Sequence, residues 1–349
     1  IEKICPEARN LLIIPENHAR TPLYLANVAQ LSRIFHRAGL NVRIGSIDPD
    51  IKETTRIDLP DGEQIVLEPV LRSKYRAGLK HFDPCTILMN NDLSAGAPGI
   101  LEDLHEQYLL PPLHAGWTVR RKSRHFQSYE ELAKRFGKLI GIDPWLINPI
   151  FAKADAVSLA DGTGMDALAA QVDQVLTKTR RKYKEYGINE KPFAVIKSDN
   201  GAYGMGVVTV RDVKDLGDLG DLAQRARTQA AADGGNQPVR DLIIQEGVLT
   251  NERINDAVAE PVVYMMDRYV VGGFYRVHAG RGEDESINTA GAGFVPLAFE
   301  HAAHMPQPGV KPGASAPNRF YMYGVVARLA MAASSYELEA TDPDREIYD

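Results

Sequence analysis

Cysteine is scarce: Cys5 and Cys85 are the only two in 349 residues, too few for a disulfide framework or a cysteine-rich zinc site, and the pair suits a reducing, cytoplasmic setting. No apolar run approaches the roughly 20 residues that span a bilayer. The opening IEKICPEARN lacks the basic and apolar blocks of a signal peptide, so no membrane partner is expected. That opening also lacks an initiator Met, which leaves open a longer natural chain whose preceding segment supplies ligands. Cations are outnumbered, 40 Lys and Arg against 46 Asp and Glu, for a net charge of -6. A general nucleic-acid binder needs the opposite balance to displace counterions from phosphates, so any phosphate site must be local. Nucleophilic triads and catalytic zinc are unsupported, because neither cysteine lies in a strong motif and the histidines are scattered.

What is present is a globular balance, 44% hydrophobic and 25% charged, which is enough for a stable core. The length suits two or three packed subdomains sharing a cleft. Asn10–Pro15 reads as a strand, residues 21–38 as a helix and 40–44 as a second strand. Residues 58–71 alternate around Asp61-Gly62 as a hairpin, and 85–89 form a buried strand leaving through Asn90, Asn91 and Asp92. That polar exit can touch a ligand or simply stop a strand. The pattern predicts an α/β amino-terminal domain ending near residue 115. Beyond it, Arg120, Arg121, Lys122, Arg124 and His125 precede a helix expected over 129–139, a cluster able to grip phosphate or to coat a surface. A second helix, over about 166–182, ends among Lys178, Arg180, Arg181, Lys182 and Lys184, read as a solvated face because cations suit a helix carboxy end. Residues 223–238, rich in Ala, Gly and Gln, read as a helix and then a surface loop.

The chemistry concentrates downstream. In PFAVIKSDNGAYGMGVVTV two apolar strand segments flank a loop containing Gly201, Gly204 and Gly206, and Lys197 closes the first strand. Glycines let backbone N–H groups approach an anion, and the lysine adds a full charge for phosphate oxygens. A strand follows the loop rather than a helix, so this is neither a phosphate-binding loop ending in Gly-Lys-Ser/Thr nor a dinucleotide fingerprint. It describes a strand-loop-strand cover over a triphosphate. Next, DLIIQEGV is a buried strand that turns polar at Gln245, Glu246 and Gly247. Its backbone can present one C=O and one N–H to an adenine edge, with Glu246 or Glu252 near ribose hydroxyls. Residues 262–266 and 269–277 read as two strands joined at Asp267-Arg268. Arg276 sits in an otherwise apolar strand, where an unpaired guanidinium is costly, so it faces either a phosphate or a carboxylate such as Glu260 or Glu246. Asn288, ahead of the small-residue loop TAGAG, is a substrate contact or a turn residue.

Together VIKSDNGAYGMGV, IIQEGV, VVGGFYRV and SINTAGAGF stand in the order in which the ATP-grasp superfamily places its glycine flap, adenine hinge, cationic strand and Asn-containing loop. That order is far more specific than any one piece. The wording is similar to the glutamate-cysteine ligase family of proteobacteria and relatives, from LLIIPENHART near the start to NRFYMYGVVARLAMAASSYELEATDPD near the end. The resemblance implies an α/β (α+β) chain with an amino-terminal substrate domain over 1–115 and an ATP-grasp domain over 116–349. It implies ATP and Mg2+, the small-molecule substrates glutamate and cysteine, and attack of cysteine on γ-glutamyl phosphate to give γ-glutamylcysteine, ADP and phosphate. By the same carry-over Lys197 contacts phosphates, and Lys122 matches an earlier nucleotide lysine by its place ahead of the flap. Ser198, Gly201, Tyr203, Gly204 and Gly206 belong to the flap, and Gln245, Glu246, Gly247 and Val248 hold adenine. Arg276 and Asn288 stabilise the transferring phosphoryl group or the acyl phosphate. One departure stands out: no Glu-x-Asn metal pair follows Asn288. Asp199 is then a candidate metal ligand, and Glu337 with Glu339 either line one strand face or end a solvated helix. Another ATP-grasp ligase such as a glutathione synthetase, a nucleotide-binding protein without turnover, and a homo-oligomeric state all stay open.

Overall fold

The computed structural model describes residues 9–16, 21–93, 96–158, 162–200, 207–218, 240–288, 291–296 and 319–343. The chain divides into two units, residues 1–120 and 121–349. Among the described residues no helix is long and apolar enough to cross a membrane.

The first unit runs β1 (Asn10–Pro15), α1 (Pro22–Arg37), β2 (Asn41–Ser46), β3 (Thr55–Asp58), β4 (Gln64–Pro69), β5 (Leu71–Arg72), β6 (Ala77–Gly78), β7 (Thr86–Asn90) and β8 (Tyr108–Leu110). Thr21 caps α1 by accepting from the Tyr24 N–H at 3.2 Å, and Pro22 occupies the first turn, where its missing N–H costs nothing. The six-stranded sheet has the order β3-β4-β2-β1-β7-β8, parallel except where β3 meets β4. Leu11 and Ile13 pack with Leu25 and Val28 of α1, while Leu12 and Ile14 pack with Leu79 and Phe82 on the other side. A sheet buried on both faces explains the unbroken apolar run of β1. The polar exit of β7 is held from within the unit: the Tyr24 hydroxyl donates to the Asn90 carbonyl at 2.9 Å, and Glu16 accepts from the Asp92 N–H. Cys85, just before β7, is disulfide-bonded, which departs from the reading of the two cysteines as the mark of a reducing setting.

The second unit runs α2 (Lys122–Ile140), β9 (Phe151–Val157), α3 (Met165–Glu185), β10 (Ala194–Ser198), β11 (Val208–Val210), β12 (Arg240–Glu246), β13 (Arg253–Ile254), β14 (Ala257–Met266), β15 (Tyr269–His278), β16 (Gly293–Pro296) and α4 (Arg319–Thr341). Its two four-stranded antiparallel sheets have the orders β11-β10-β12-β9 and β13-β14-β15-β16. Leu168, Val172, Val175 and Leu176, at helical spacing on α3, pack against the first sheet. Helix α4 lies against β14 and β15 and also against α2, where Tyr129, Ala133 and Ala333 form a small core. Gly141 takes a left-handed φ of 76° and ends α2. The tail around Glu337 is helical, as one alternative had it, yet Glu337 is not solvated. It is buried and hydrogen-bonded to the His125 ring of α2, because α2 covers that side of α4.

Candidate active site

Lys197 of β10 stands opposite Ile243 of β12, which stands opposite Lys153 of β9. Directly opposed residues share a face of the sheet. The residues between them in sequence, including Ala152, Ala154, Ala194, Ile196, Leu242 and Ile244, are those packed on α3. Strand alternation therefore turns Lys153, Lys197 and Gln245 away from α3. On that face the Lys197 ammonium donates to the Gln245 side-chain oxygen at 2.8 Å. Burial pushes the Lys197 pKa below the ordinary lysine range, while the Glu260 carboxylate acts in the opposite direction. Glu260, on β14 of the other sheet, is thus within electrostatic reach of Lys197.

Glu260 is also the cross-strand partner of Arg276 on β15 and is ion-paired with it. Of the two carboxylates anticipated for Arg276, Glu260 is the one in place. Phe274 shares the Arg276 face and packs edge-on against Phe294, with ring centroids 5.3 Å apart. Lys197, Glu260 and Arg276 therefore form a cation-carboxylate-cation cluster. It suits an anion that displaces the carboxylate or bridges the two cations, as a phosphate does.

The expected adenine hinge lies at the exit of β12. Gln245 is committed to Lys197, and Glu246 is buried, accepting from the Trp145 indole N–H at 2.8 Å and from the Ile150 N–H at 2.9 Å. Burial raises the Glu246 pKa. Glu246 thus fastens the start of β9 to the hinge instead of pointing toward a ribose. Glu252 accepts from the Tyr323 hydroxyl of α4 at 2.8 Å. Gly247 donates its N–H to the Phe193 carbonyl at 2.8 Å. A Cβ on Gly247 would lie 2.0 Å from the Phe193 ring, so only glycine fits. Val248 follows and is exposed.

The remaining candidates are distributed as follows. Lys122 opens α2 and donates its ammonium to the Ser198 carbonyl at 2.9 Å, one residue from Lys197. Asp199 is fully buried and accepts from the Ser123 N–H and the Ser123 hydroxyl, each at 2.7 Å. Both of its oxygens serve the first turn of α2, a helix-capping arrangement in place of the open one expected of a metal ligand. Asn288 is exposed in the loop before β16. Gly201, Tyr203, Gly204 and Gly206 lie outside the described residues. Among the described residues no three acidic, His or Cys side chains gather as a metal site. No magnesium ligand is therefore assigned among them, and no step is routed through the metal.

Two site residues, Lys153 and Ser123, escaped the sequence reading, and a third was read in one role only. Lys153 was legible as an alternate position in FAKADAV, on the Lys197 face. Glu260 was considered only as a structural counter-ion. Ser123 carried no local signal, since its partner Asp199 is 76 residues away.

A mixed α/β chain with a half-buried lysine, an opposed Glu-Arg pair and a glycine-restricted strand exit is compatible with the class that the sequence resembles, the ATP-dependent carboxylate-amine ligases. The particular kind follows from comparison: residues 1–338 match the model of the family described as glutamate-cysteine ligase (GshA), and the chain belongs to that family. Among solved structures it is similar to a provisionally named gamma-glutamylcysteine synthetase from Methylobacillus flagellatus KT. The identity is 49% over 98% of this chain and 79% of that one, with a TM-score of 0.86. A D-alanyl-alanine synthetase A from Vibrio cholerae O1 biovar eltor str. N16961 matches at 11% identity over 94% of this chain and 81% of that one. Its TM-score of 0.40 is too low to carry an argument. Among curated proteins none matches the chain.

Proposed function

We propose that this glutamate-cysteine ligase works through an ATP-grasp arrangement: ATP phosphorylates the γ-carboxylate of glutamate, and the cysteine amine displaces phosphate to give γ-glutamylcysteine. The observation that carries the reading is the Lys197-Glu260-Arg276 cluster, with Gln245 beside Lys197, on a sheet face that α3 leaves uncovered. Phosphoryl transfer asks little of acids and bases and much of positioned cations. No general base is therefore assigned. Lys197 and Lys122 bind nucleotide phosphates, and Arg276 meets the transferring phosphoryl group or the acyl phosphate, released from Glu260 when the anion arrives. Because the Gly247 N–H is already bonded to Phe193, adenine is read by the Glu246 carbonyl and the Val248 N–H. The glycine loop over 201–206 covers the phosphates, and Asn288 approaches the acyl phosphate. The reaction runs with Mg2+, on small-molecule substrates and without nucleic acid. The test is ADP release by purified protein with ATP, magnesium and pairs of amino acids. The strongest stimulation by glutamate plus cysteine is the expected result, and equal stimulation by unrelated acid-amine pairs overturns it.

A further inference from the structure

Helix α2 has no cap of its own: Arg121, at the cap position, makes no side-chain cap hydrogen bond, and the first turn holds no acidic residue. Unpaired N–H groups at a helix start are normally satisfied by a neighbouring Ser, Thr, Asp or Asn. Here the acceptor comes from the end of β10. The Lys122 N–H donates to the Asp199 carbonyl at 2.9 Å, and Ser123 donates twice to the Asp199 carboxylate, once from its N–H and once from its hydroxyl. Asp199 is in turn tied to β12, its N–H donating to the Asp241 carbonyl at 2.9 Å, and the Lys153 ammonium lies 3.9 Å from its second oxygen. A fully buried carboxylate is tolerable when a helix start, a hydroxyl and a cation surround it. The side chain next to this joint is Lys122, whose ammonium reaches back to Ser198.

We propose that Asp199 is a positioning residue: by bonding Ser123 through both carboxylate oxygens it fixes the start of α2 to the end of β10 and so sets Lys122 beside Lys197. The inference rests on the reading of these two lysines as the phosphate ligands. The joint replaces a metal role for Asp199, and the two roles separate experimentally. Ser123→Ala removes the hydroxyl-carboxylate contact and keeps the backbone one, without touching a carboxylate, and Asp199→Asn removes the charge with little change of shape.

The full chain carrying Ser123→Ala, Asp199→Asn or both is assayed with glutamate and cysteine. The readouts are KM for ATP, kcat at saturating ATP, and the magnesium concentration for half-maximal rate. Each single variant should raise KM for ATP by about tenfold, the worth of one charge-assisted hydrogen bond, with a smaller change in kcat. The double variant should be no worse than the worse single, since both act on one contact. The magnesium requirement should stay at the wild-type value. A higher magnesium requirement in Asp199→Asn but not in Ser123→Ala makes Asp199 a metal ligand and overturns the proposal. Wild-type KM for ATP in Ser123→Ala overturns it too, and this variant keeps the test decisive if Asp199→Asn fails to fold. Failure of the underlying reading looks different: Lys122→Ala would then keep the wild-type KM for ATP.

Discussion

Lys197 is held between two opposing influences, and its titration offers a direct probe of the site. Burial penalises its charged form, so the ammonium loses its proton at a lower pH than an ordinary lysine, while Glu260 counteracts that shift. Activity that needs the charged lysine is present below this depressed pKa and falls as pH rises through it. Glu260→Gln removes the one charge that favours the ammonium, so the alkaline limb of kcat/KM for ATP, which reports the free enzyme, should move to lower pH. An unmoved limb would separate Glu260 from Lys197. Lys197→Ala should remove the charge altogether and leave a folded protein with strongly reduced ATP use, a transition-state loss of about 3 kcal/mol. Near-wild-type ADP release by that variant would remove Lys197 from the phosphate site. Arg276→Lys keeps a cation yet loses the planar fork that suits an anion bidentately, so it should lower kcat more than it weakens the fold. Wild-type kinetics there would reduce Arg276 to the structural partner of Glu260.

Among the elements, the exit of β12 is the most constrained. Gly247→Ala would put a methyl 2.0 Å from the buried Phe193 ring, and such overpacking costs about 1–3 kcal/mol. The expected outcome is a lower denaturation midpoint together with a higher KM for ATP, both partly restored by Phe193→Leu, which shortens the obstructing side chain. Full stability in Gly247→Ala would mean that Phe193 swings aside freely. Much of this architecture was legible from periodicity: α3 starts at Met165 beside the expected 166, and the strands on either side of Asp267-Arg268 were found. Two features were not, and each has a long-range cause. A regular hairpin pairing Met266 with Tyr269 sets Glu260 opposite Tyr275; a register shift between Tyr264 and Met265 sets it opposite Arg276 instead. Helix α2 begins at Lys122, ahead of the expected start at 129, because its first turn is satisfied by Asp199 rather than by a local cap. Neither the bulge nor the distant cap leaves a mark in the neighbouring sequence.

For the molecule as a whole, the order of four modest motifs along the chain was more informative than any single one. The family match extends well beyond those motifs, over residues 1–338. The metal ligands did not emerge in this way, because the one carboxylate singled out, Asp199, is engaged by a helix start. The reaction is therefore best tested without presuming how magnesium is held. With ATP, magnesium and glutamate alone, net ADP release should be small, since a site that let water reach γ-glutamyl phosphate would waste ATP at each turnover. Cysteine should release turnover, because its amine opens the productive route for the acyl group. The amine attacks and the thiol serves recognition, so 2-aminobutyrate should substitute in part, at a cost set by the contacts the thiol makes. Mass analysis should find a γ-glutamyl link to cysteine and, with the analogue, to 2-aminobutyrate. If glutamate and cysteine give no dipeptide while γ-glutamylcysteine and glycine give glutathione, the second step of that synthesis takes the place of the first as the function of this chain. If ATP binds but no acid-amine pair stimulates ADP release, the cation cluster is a nucleotide-binding site without turnover.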